Sequence, residues 1–489
     1  MAYCIQYVSN WLDGRVVMQR PAKPFTPVRF RLQPPNYMND NLLNNLNNIF
    51  DKNDIKVDSL NKEKYRNDWS TNYQSDPLAI VFPREANQVH ETIKLCNDLD
   101  FPLIGSGGRT GLSGGASALS NELIISFDKM NKIIDFDEST KTVLCESGLI
   151  TEQLQSFAIE NNLFYPVDFS SAGSSQIGGN IATNAGGIKV IKYGSTAKYV
   201  KGLNIITGNG NNISTDNSLV KNATGPDINY CFIGSEGIFG LTTSCRIQLI
   251  NQPTNTDVAL IGFDSIESLN SITQLALEHD VEAIEFFTKN SLLKVDKEFN
   301  DVDIGELNNN YYFIIEYEDS INFNPVLEKI FKSNLSDEII ISTNNNQKES
   351  IWSYRLLISE SISRDNPIKF DIAVPIKHTS DLIRNLESYF KKNMQYTLIL
   401  FGHIGDGNLH INIIRNDKNI VPGNDKILEK KIYSMVLELK GTLSAEHGIG
   451  HKKVMPFMKY EKSLKINLIK NLKNFFDNKG VLNPGKLVQ

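Results

Sequence analysis

A chain of 489 residues that is 40% hydrophobic, 9% aromatic and 22% charged is long enough for two or three domains and too apolar to be disordered throughout. Its 50 Lys and Arg against 56 Asp and Glu leave a net charge of −6, which argues against a general nucleic-acid coat. Five cysteines without a C-x-x-C spacing argue against a disulfide framework or a cysteine metal site and fit a reducing compartment.

Residues 1–37 are rich in Arg and Pro in a chain otherwise rich in Lys, Asn and Ile. Three readings stay open: a loosely ordered extension, a start codon placed upstream of Met38, and an Arg-rich transit segment, which the five prolines oppose. No apolar run approaches the ~20 residues of a bilayer span, so a soluble protein is expected, at most peripherally membrane-associated.

From about residue 78 the pattern is mixed. LAIVFP (78–83) fits a buried strand, and EANQVHETIKLCNDLD sets Val89, Ile93, Leu95 and Cys96 at near-helical spacing. FPLIGSG reads as a strand ending in glycines, LIISF and KTVLCESG as further strands, and TEQLQSFAIENN as a helix N-capped by Thr151. Residues 201–250 are strand-rich, with a turn at Gly208-Asn209-Gly210. Beyond residue 252 come VALIGF, a helix near 265–279, YYFIIEYE, a helix near 325–333, EIIIST and a long helix near 346–363, which together read as a second, α+β domain.

Two residue types are unevenly placed. Of 32 glycines, 20 lie between Gly105 and Gly240, and four of the seven histidines (His403, His410, His447 and His451) fall within 49 residues. GSGGRTGLSGGA (105–116) follows a strand directly, and consecutive amides there can form an anion-binding concavity. Its spacing matches neither the dinucleotide fingerprint nor a P-loop. Together with SSAGSSQIGGNIATNAGGIKVIKYGS (170–195) and GSEGIFG (234–240), it suggests a large phosphate-bearing cofactor laid across several loops.

LILFGHIGDGNLHINII reads as two strands around Asp406-Gly407, a strong two-residue hairpin signal. A turn at those two residues sets His403 opposite His410, with Cβ atoms ~4.5–5.5 Å apart, so that both imidazoles could reach one metal. Asn412 shares that face, while Ile404, Leu409, Ile411 and Ile413 take the other. SAEHGIGHKK adds Glu446 and His447. Nitrogen ligands with a carboxylate suit Zn²⁺ or a similar divalent ion that keeps an open position for substrate.

PLIGSGGRTGLSGGA, QIGGNIATNAGG, KYGS and FIGSEGIFG resemble the FAD-binding domain of the vanillyl-alcohol oxidase/p-cresol methylhydroxylase superfamily, in its D-2-hydroxy-acid dehydrogenase branch. The likeness runs from about Asp68 to the C-terminal LNPGKLV. It implies an α+β chain: a two-subdomain PCMH-type FAD-binding domain (38–252), then an α+β FAD-linked oxidase C-terminal domain (253–489) for substrate and metal, whose last residues pack back near the flavin. Pyrophosphate contacts are implied for Gly105, Ser106, Gly107, Gly108, Arg109, Thr110 and Gly111, with Ser113 beside them. Flavin and ribityl contacts are implied for Gly173, Ser174, Gly178, Gly179, Asn180, Thr183, Asn184, Glu236, Gly237 and Ile238, and a place near the flavin for Asn483. Arg109 stands where covalently flavinylated relatives carry His, so non-covalent FAD is expected. Ala223 and Pro226 depart from the family's usual Asn and Tyr.

GHIGDGNLH and SAEHGIG are similar to the family's metal and active-site motifs, implying His403, His410 and Glu446 as metal ligands and His447 as general base, with no catalytic role for His451. WSYRLLISESISRDNPIKFDIAVP is similar to the substrate-binding stretch of D-2-hydroxyglutarate dehydrogenases. It implies substrate contacts from Arg355, Ser359 and Lys369, joined by Asn412 and His447. Ser359 replaces a usual Thr, and the Arg-to-Lys gap is one residue shorter. Arg355 and Ser359, four apart, are expected on one helix face.

The implied reaction is FAD-dependent oxidation of a D-2-hydroxy acid to the 2-oxo acid, with hydride transfer to flavin N5 assisted by the metal and His447. D-2-hydroxyglutarate stands ahead of D-lactate or glycolate. The chain has neither an iron–sulfur cysteine pattern nor a nicotinamide fingerprint, which implies an external acceptor, an electron-transfer flavoprotein or a quinone. A homodimer and a cytoplasmic or mitochondrial-matrix location are compatible with the resemblance. A non-catalytic nucleotide-binding protein and a flavin oxidase using oxygen directly are the alternatives from other classes.

Overall fold

The computed structural model describes residues 36–69, 73–217, 219–299, 306–416 and 423–488. The readings of residues 1–37 fall outside this range as far as residue 35; a helix, Asn36–Ile49, opens the described chain.

The first sheet has the order Ile55–Lys56, Ala79–Val81, Leu123–Ser126, Leu103–Ser106. Its last three strands are parallel, which requires a crossover, supplied by the helix Ala86–Asp98. Val89, Ile93 and Cys96 of that helix are fully buried against Leu123 and Ile125, while Leu95 is only partly buried. The second sheet is antiparallel: Ile133–Asp137, Thr142–Glu146, Gly240–Gln248, Val200–Thr207, Asn212–Ser214. Thr151 does not cap the helix Thr151–Glu160. Ile150 is the N-cap, and the buried Thr151 hydroxyl lies 2.7 Å from Ser175 Oγ, so tertiary contact has taken the capping group.

The third sheet has seven antiparallel strands in the order Glu338–Ile341, Thr256–Phe263, Tyr311–Glu318, Val281–Thr288, Tyr396–His403, Asn408–Arg415, Ile368–Ala373. Side chains alternate between its faces. Leu398, Leu400, Leu409, Ile411 and Ile413 pack with helices that include Ile266–Leu277 and Thr379–Lys391. Ile399, Phe401 and Ile414 pack on the opposite face beneath Lys289–Glu298 and Asn345–Leu356. The same alternation puts Glu285, Lys369, Asp371, His403, His410 and Asn412 on that second face, beyond its apolar part. The helix expected over 346–363 is instead two, Asn345–Leu356 and Ile358–Ser361, followed by a turn in which Asn366 (φ 47°) leads into Pro367.

After the third sheet the chain returns to the first half. Ile466, Phe476, Leu487 and Val488 share a core with Val143 and Leu203. Leu103 N–H donates to Val481 C=O, and Asn483 N–H to Leu103 C=O, at 2.8 Å each. The C-terminal residues are thereby fixed beside the first glycine loop. Among the described residues, no helix is long and apolar enough to cross a membrane.

Candidate active site

The turn between the two histidine strands is longer than Asp406-Gly407. Ile404–Asp406 form a 3-10 turn closed by Gly407 N–H to Ile404 C=O (3.2 Å), with Gly407 at φ 80°. Phe401, not His403, therefore stands opposite His410. A register change of two residues keeps every side chain on its face, so the imidazoles still meet, diagonally, with ring centres 5.3 Å apart.

Glu446 reaches both rings: its Oε1 is 3.3 Å from His403 Nε2 and its Oε2 is 4.0 Å from His410 Nε2. One ligand atom from each of the three lies within 4.8 Å of the others. His447 stacks on His410 at 5.7 Å between ring centres and 13° between planes. The sequence-predicted ligands and base therefore come together. His451 stands apart: its Nδ1 is 2.9 Å from the Gly485 carbonyl and its ring packs edge-on against Tyr73.

Two buried carboxylates organise this group. Glu285 Oε1 lies 2.5 Å from His403 Nδ1, which turns Nε2 toward Glu446, and Glu285 Oε2 ion-pairs with Arg355 Nε at 2.6 Å. Asp371 Oδ2 accepts the amides of Ala445 (3.2 Å), Glu446 (2.9 Å) and His447 (2.8 Å), while its Oδ1 accepts from Asn408 Nδ2 (2.9 Å). Reading motifs alone gave neither Glu285 nor Asp371 a role. The signal in both cases is an acid in an otherwise apolar buried strand, VEAIEFFT and IKFDIA, because such a charge must have a partner.

The electrostatics favour a cation at the centre. Burial opposes charge on His403, but Glu285 and Glu446 raise its pKa well above the ordinary range. Glu446 is held ionised: burial opposes this too, but His403 and then His410 bring its pKa down to about 2. Burial pushes His410 down to about 3, so it is a neutral imidazole at neutral pH. His447 is likewise lowered by burial, with Asp371 opposing. Two imidazoles and one ionised carboxylate are a donor set suited to a divalent ion of the zinc type.

Arg355 is buried, paired with Glu285, and has its guanidinium carbon 4.7 Å from the Phe401 ring centre. Ser359 falls on the short second helix and is exposed, unlike Arg355. Lys369 pairs in register with the buried Asn412, two residues along the same face from the Asp371–His410 pair.

In the first glycine loop, no backbone amide from Gly107 to Gly111 donates to a protein acceptor among the described residues. The loop thus presents five unengaged N–H groups beside a strand end, as an anion cradle requires. A Cβ at Gly108 would lie 2.1 Å from the Ser174 carbonyl oxygen and one at Gly178 2.6 Å from Ser147, so these glycines allow loop to lie on loop, whereas Gly179 faces open space. Gly173 and Ser174 are exposed at the rim, Ser106 and Ser113 are buried, and Thr183 donates to Gly179 C=O (3.1 Å). Several implied flavin contacts can involve only main chain. Asn180 donates to Thr151, Asn184 accepts from Ala197, and Ile238 is fully buried. Arg109, at φ 59°, lies with its guanidinium carbon 4.1 Å from the Tyr65 ring centre and donates to Gly107 C=O. A cleft of about 520 Å³ joins the two halves, with Thr183, Glu236, Glu446 and Gly448 in its lining.

Glycine loops with available amides in one half and a histidine–carboxylate cluster in the other, joined by a cleft that both line, are the parts of a two-domain flavoprotein oxidoreductase. Residues 252–487 match the family described as FAD linked oxidases, C-terminal domain, and residues 77–216 match an FAD binding domain. The chain is 36% identical over 459 residues to a D-2-hydroxyglutarate dehydrogenase of Stutzerimonas stutzeri, covering 91% of this chain and 98% of that one. It is 31% identical over 460 residues to a mitochondrial D-2-hydroxyglutarate dehydrogenase of Arabidopsis thaliana, covering 90% and 80%. Its fold is shared with 4-ethylphenol oxidase from Gulosibacter chungangensis, with a TM-score of 0.74 at 13% identity over 92% of this chain and 97% of that one. The chain belongs to the FAD-linked oxidase family.

Proposed function

We propose that this protein oxidises D-2-hydroxyglutarate to 2-oxoglutarate. The observation that carries the reading is the convergence of His403, His410, Glu446 and His447, with Glu446 in the lining of a cleft that it shares with Thr183 and Glu236 of the glycine-rich half; the similarity to D-2-hydroxyglutarate dehydrogenases supports the substrate. FAD, held non-covalently at residues 105–111 and by the main chain of 173–184 and 236–238, would supply the acceptor for the substrate hydride. A divalent ion, zinc foremost, held by His403, His410 and Glu446, would act as a Lewis acid on the substrate hydroxyl.

The chain's own groups do the rest. His447, neutral and aligned through its amide by Asp371, takes the hydroxyl proton. Lys369, beside Asn412, provides a cation for a carboxylate. Burial holds its pKa below the ordinary lysine range. Arg355 meets the substrate through what its pairing with Glu285 leaves available, and Ser359, exposed on the next helix, offers a hydroxyl. Two carboxylates on the substrate account for cations on two elements better than one does. The proposed acceptor is an electron-transfer flavoprotein or a quinone, and the proposed location is the cytoplasm or the mitochondrial matrix.

Anaerobic titration of the purified protein with D-2-hydroxyglutarate, D-lactate and glycolate, before and after chelation, tests the reading. Flavin bleaching by the dicarboxylate at the lowest concentration, lost on chelation, is expected. Preference for a monocarboxylate would overturn the substrate, and a colourless protein that takes up no FAD would overturn the enzyme class.

A further inference from the structure

Glu236 holds a left-handed backbone conformation, φ 54°, in the middle of GSEGIFG. That conformation is costly for a residue with a Cβ and persists only where surrounding structure fixes it. Three separate segments do so. Its N–H donates to Ala182 C=O at 2.7 Å, tying it to the second glycine segment. Its C=O accepts from Asn483 Nδ2 at 2.8 Å, and Asn483 Oδ1 in turn accepts from Gly105 N–H at 3.0 Å, which ties it to the first glycine loop. Its carboxylate accepts two amides of the catalytic segment, Ile449 at 2.7 Å on Oε1 and Gly450 at 2.6 Å on Oε2.

The fit is close at the Glu236 carboxylate and at its Asn483 partner. Gly448, next to His447, has φ 71°, and a Cβ there would lie 2.8 Å from Glu236 Oε1. Gly237 has φ 69°, and a Cβ there would lie 2.9 Å from Asn483 Nδ2. The side chain is about nine-tenths buried, and both oxygens are taken up by protein amides. Only the main chain of Glu236 is left to meet a cofactor.

We infer that Glu236 is a positioning residue that sets the distance between the flavin cradle and His447. It is hydrogen-bonded, directly or through Asn483, to both glycine segments and to the loop that carries the proposed base. Hydride transfer falls off steeply with misplacement, about 100-fold for an error of ~1 Å. A rigid strut between donor and acceptor halves therefore acts on rate more than on binding. The rate readout rests on the proposed oxidation; the registry of the two loops does not.

Two variants test it. In Glu236→Gln, one acceptor oxygen becomes an NH₂ facing an amide N–H, with shape otherwise kept. In Gly448→Ala, the same contact is pushed apart from the other side. Both are expected to retain FAD at wild-type stoichiometry and to be reduced by dithionite as the wild type is. Hydrogen exchange in a peptide containing Ile449 and Gly450 should quicken at least tenfold in Glu236→Gln, and the limiting rate of flavin reduction by D-2-hydroxyglutarate should fall tenfold or more with little change in substrate Kd. The double variant should be no slower than the worse single one. Loss of FAD in proportion to loss of rate would make Glu236 a cofactor ligand and overturn the inference, as would unchanged exchange at Ile449 and Gly450. If wild-type flavin is not reduced by this substrate, the proposed reaction fails, while the exchange measurement still decides the role of Glu236. Should Glu236→Gln not fold, Gly448→Ala alone carries both readouts.

Discussion

Asp371 Oδ2 accepts the backbone amide of His447 at 2.8 Å and lies 3.7 Å from the imidazole Nδ1 of the same residue. One carboxylate thus fixes both the position of the proposed base and the charge beside it. Burial alone would raise the pKa of Asp371, but His447, Lys453 and His410 hold it far below the ordinary carboxylate range.

Replacing Asp371 by Asn removes that charge and sets an NH₂ donor among three amide donors. A buried donor left without an acceptor costs about 1–3 kcal/mol, so denaturant unfolding should show Asp371→Asn destabilised by about 2–4 kcal/mol. The folded pKa lies below the unfolded one, so this stabilisation is present above the usual carboxylate range and lost only as pH falls through the folded value. The gap between wild type and variant should then hold steady from neutral to about pH 5 and close only in stronger acid.

His447→Ala should bind FAD and metal as the wild type does and lose at least about 100-fold in the rate of flavin reduction. Stopped-flow absorbance after anaerobic mixing with substrate measures this. An unchanged rate would remove His447 from the reaction.

Glu285→Gln keeps shape but weakens the hold on His403 Nδ1. Loss of such an orienting partner typically lowers metal affinity about 10–100-fold, and titration calorimetry with zinc on chelated protein should show this drop. FAD content should stay at one per chain, because Glu285 contacts His403 and Arg355, not the glycine loops.

Lys369→Met tests the dicarboxylate. KM for D-2-hydroxyglutarate should rise about tenfold or more, the usual cost of one charged hydrogen bond, while kcat changes little. D-lactate, with a single carboxylate, should be affected less. Equal effects on both acids would place Lys369 at the carboxylate next to the hydroxyl.

Lys486 is fully buried, donating to Gly115 C=O at 2.7 Å and also to Ser117 C=O, and burial lowers its pKa to about 8. Between that value and the ordinary ~10.4, the unfolded chain binds the proton that the folded one has released, so stability rises with pH across this window. The stability difference between wild type and Lys486→Met should shift by about 2 kcal/mol in favour of the wild type from about pH 7.5 to about 9.5. Paired urea titrations would show it.

Much of the site was legible because its chemistry sits in local runs. The amides of residues 107–111 are available as the glycine spacing predicts, and His403, His410, Glu446 and His447 converge as their motifs suggest. The opposition of His403 to His410 was misread because a dipeptide signal does not fix how many residues the turn uses. The result survived because a strand repeats every two residues and the register error was two.

What the sequence determined by itself was the cofactor class, the two-domain order and the residue types that meet in the candidate site, all carried by side-chain type at short spacing. The tertiary structure alone decided what holds them. Glu285 meets His403 across 118 residues, Asp371 meets His447 across 76, and Glu236 meets Ile449 across 213. Each is an acid whose burial costs more than any local interaction returns. Its partner is set by which strands and loops the fold brings within reach, and periodicity along the chain carries no record of that.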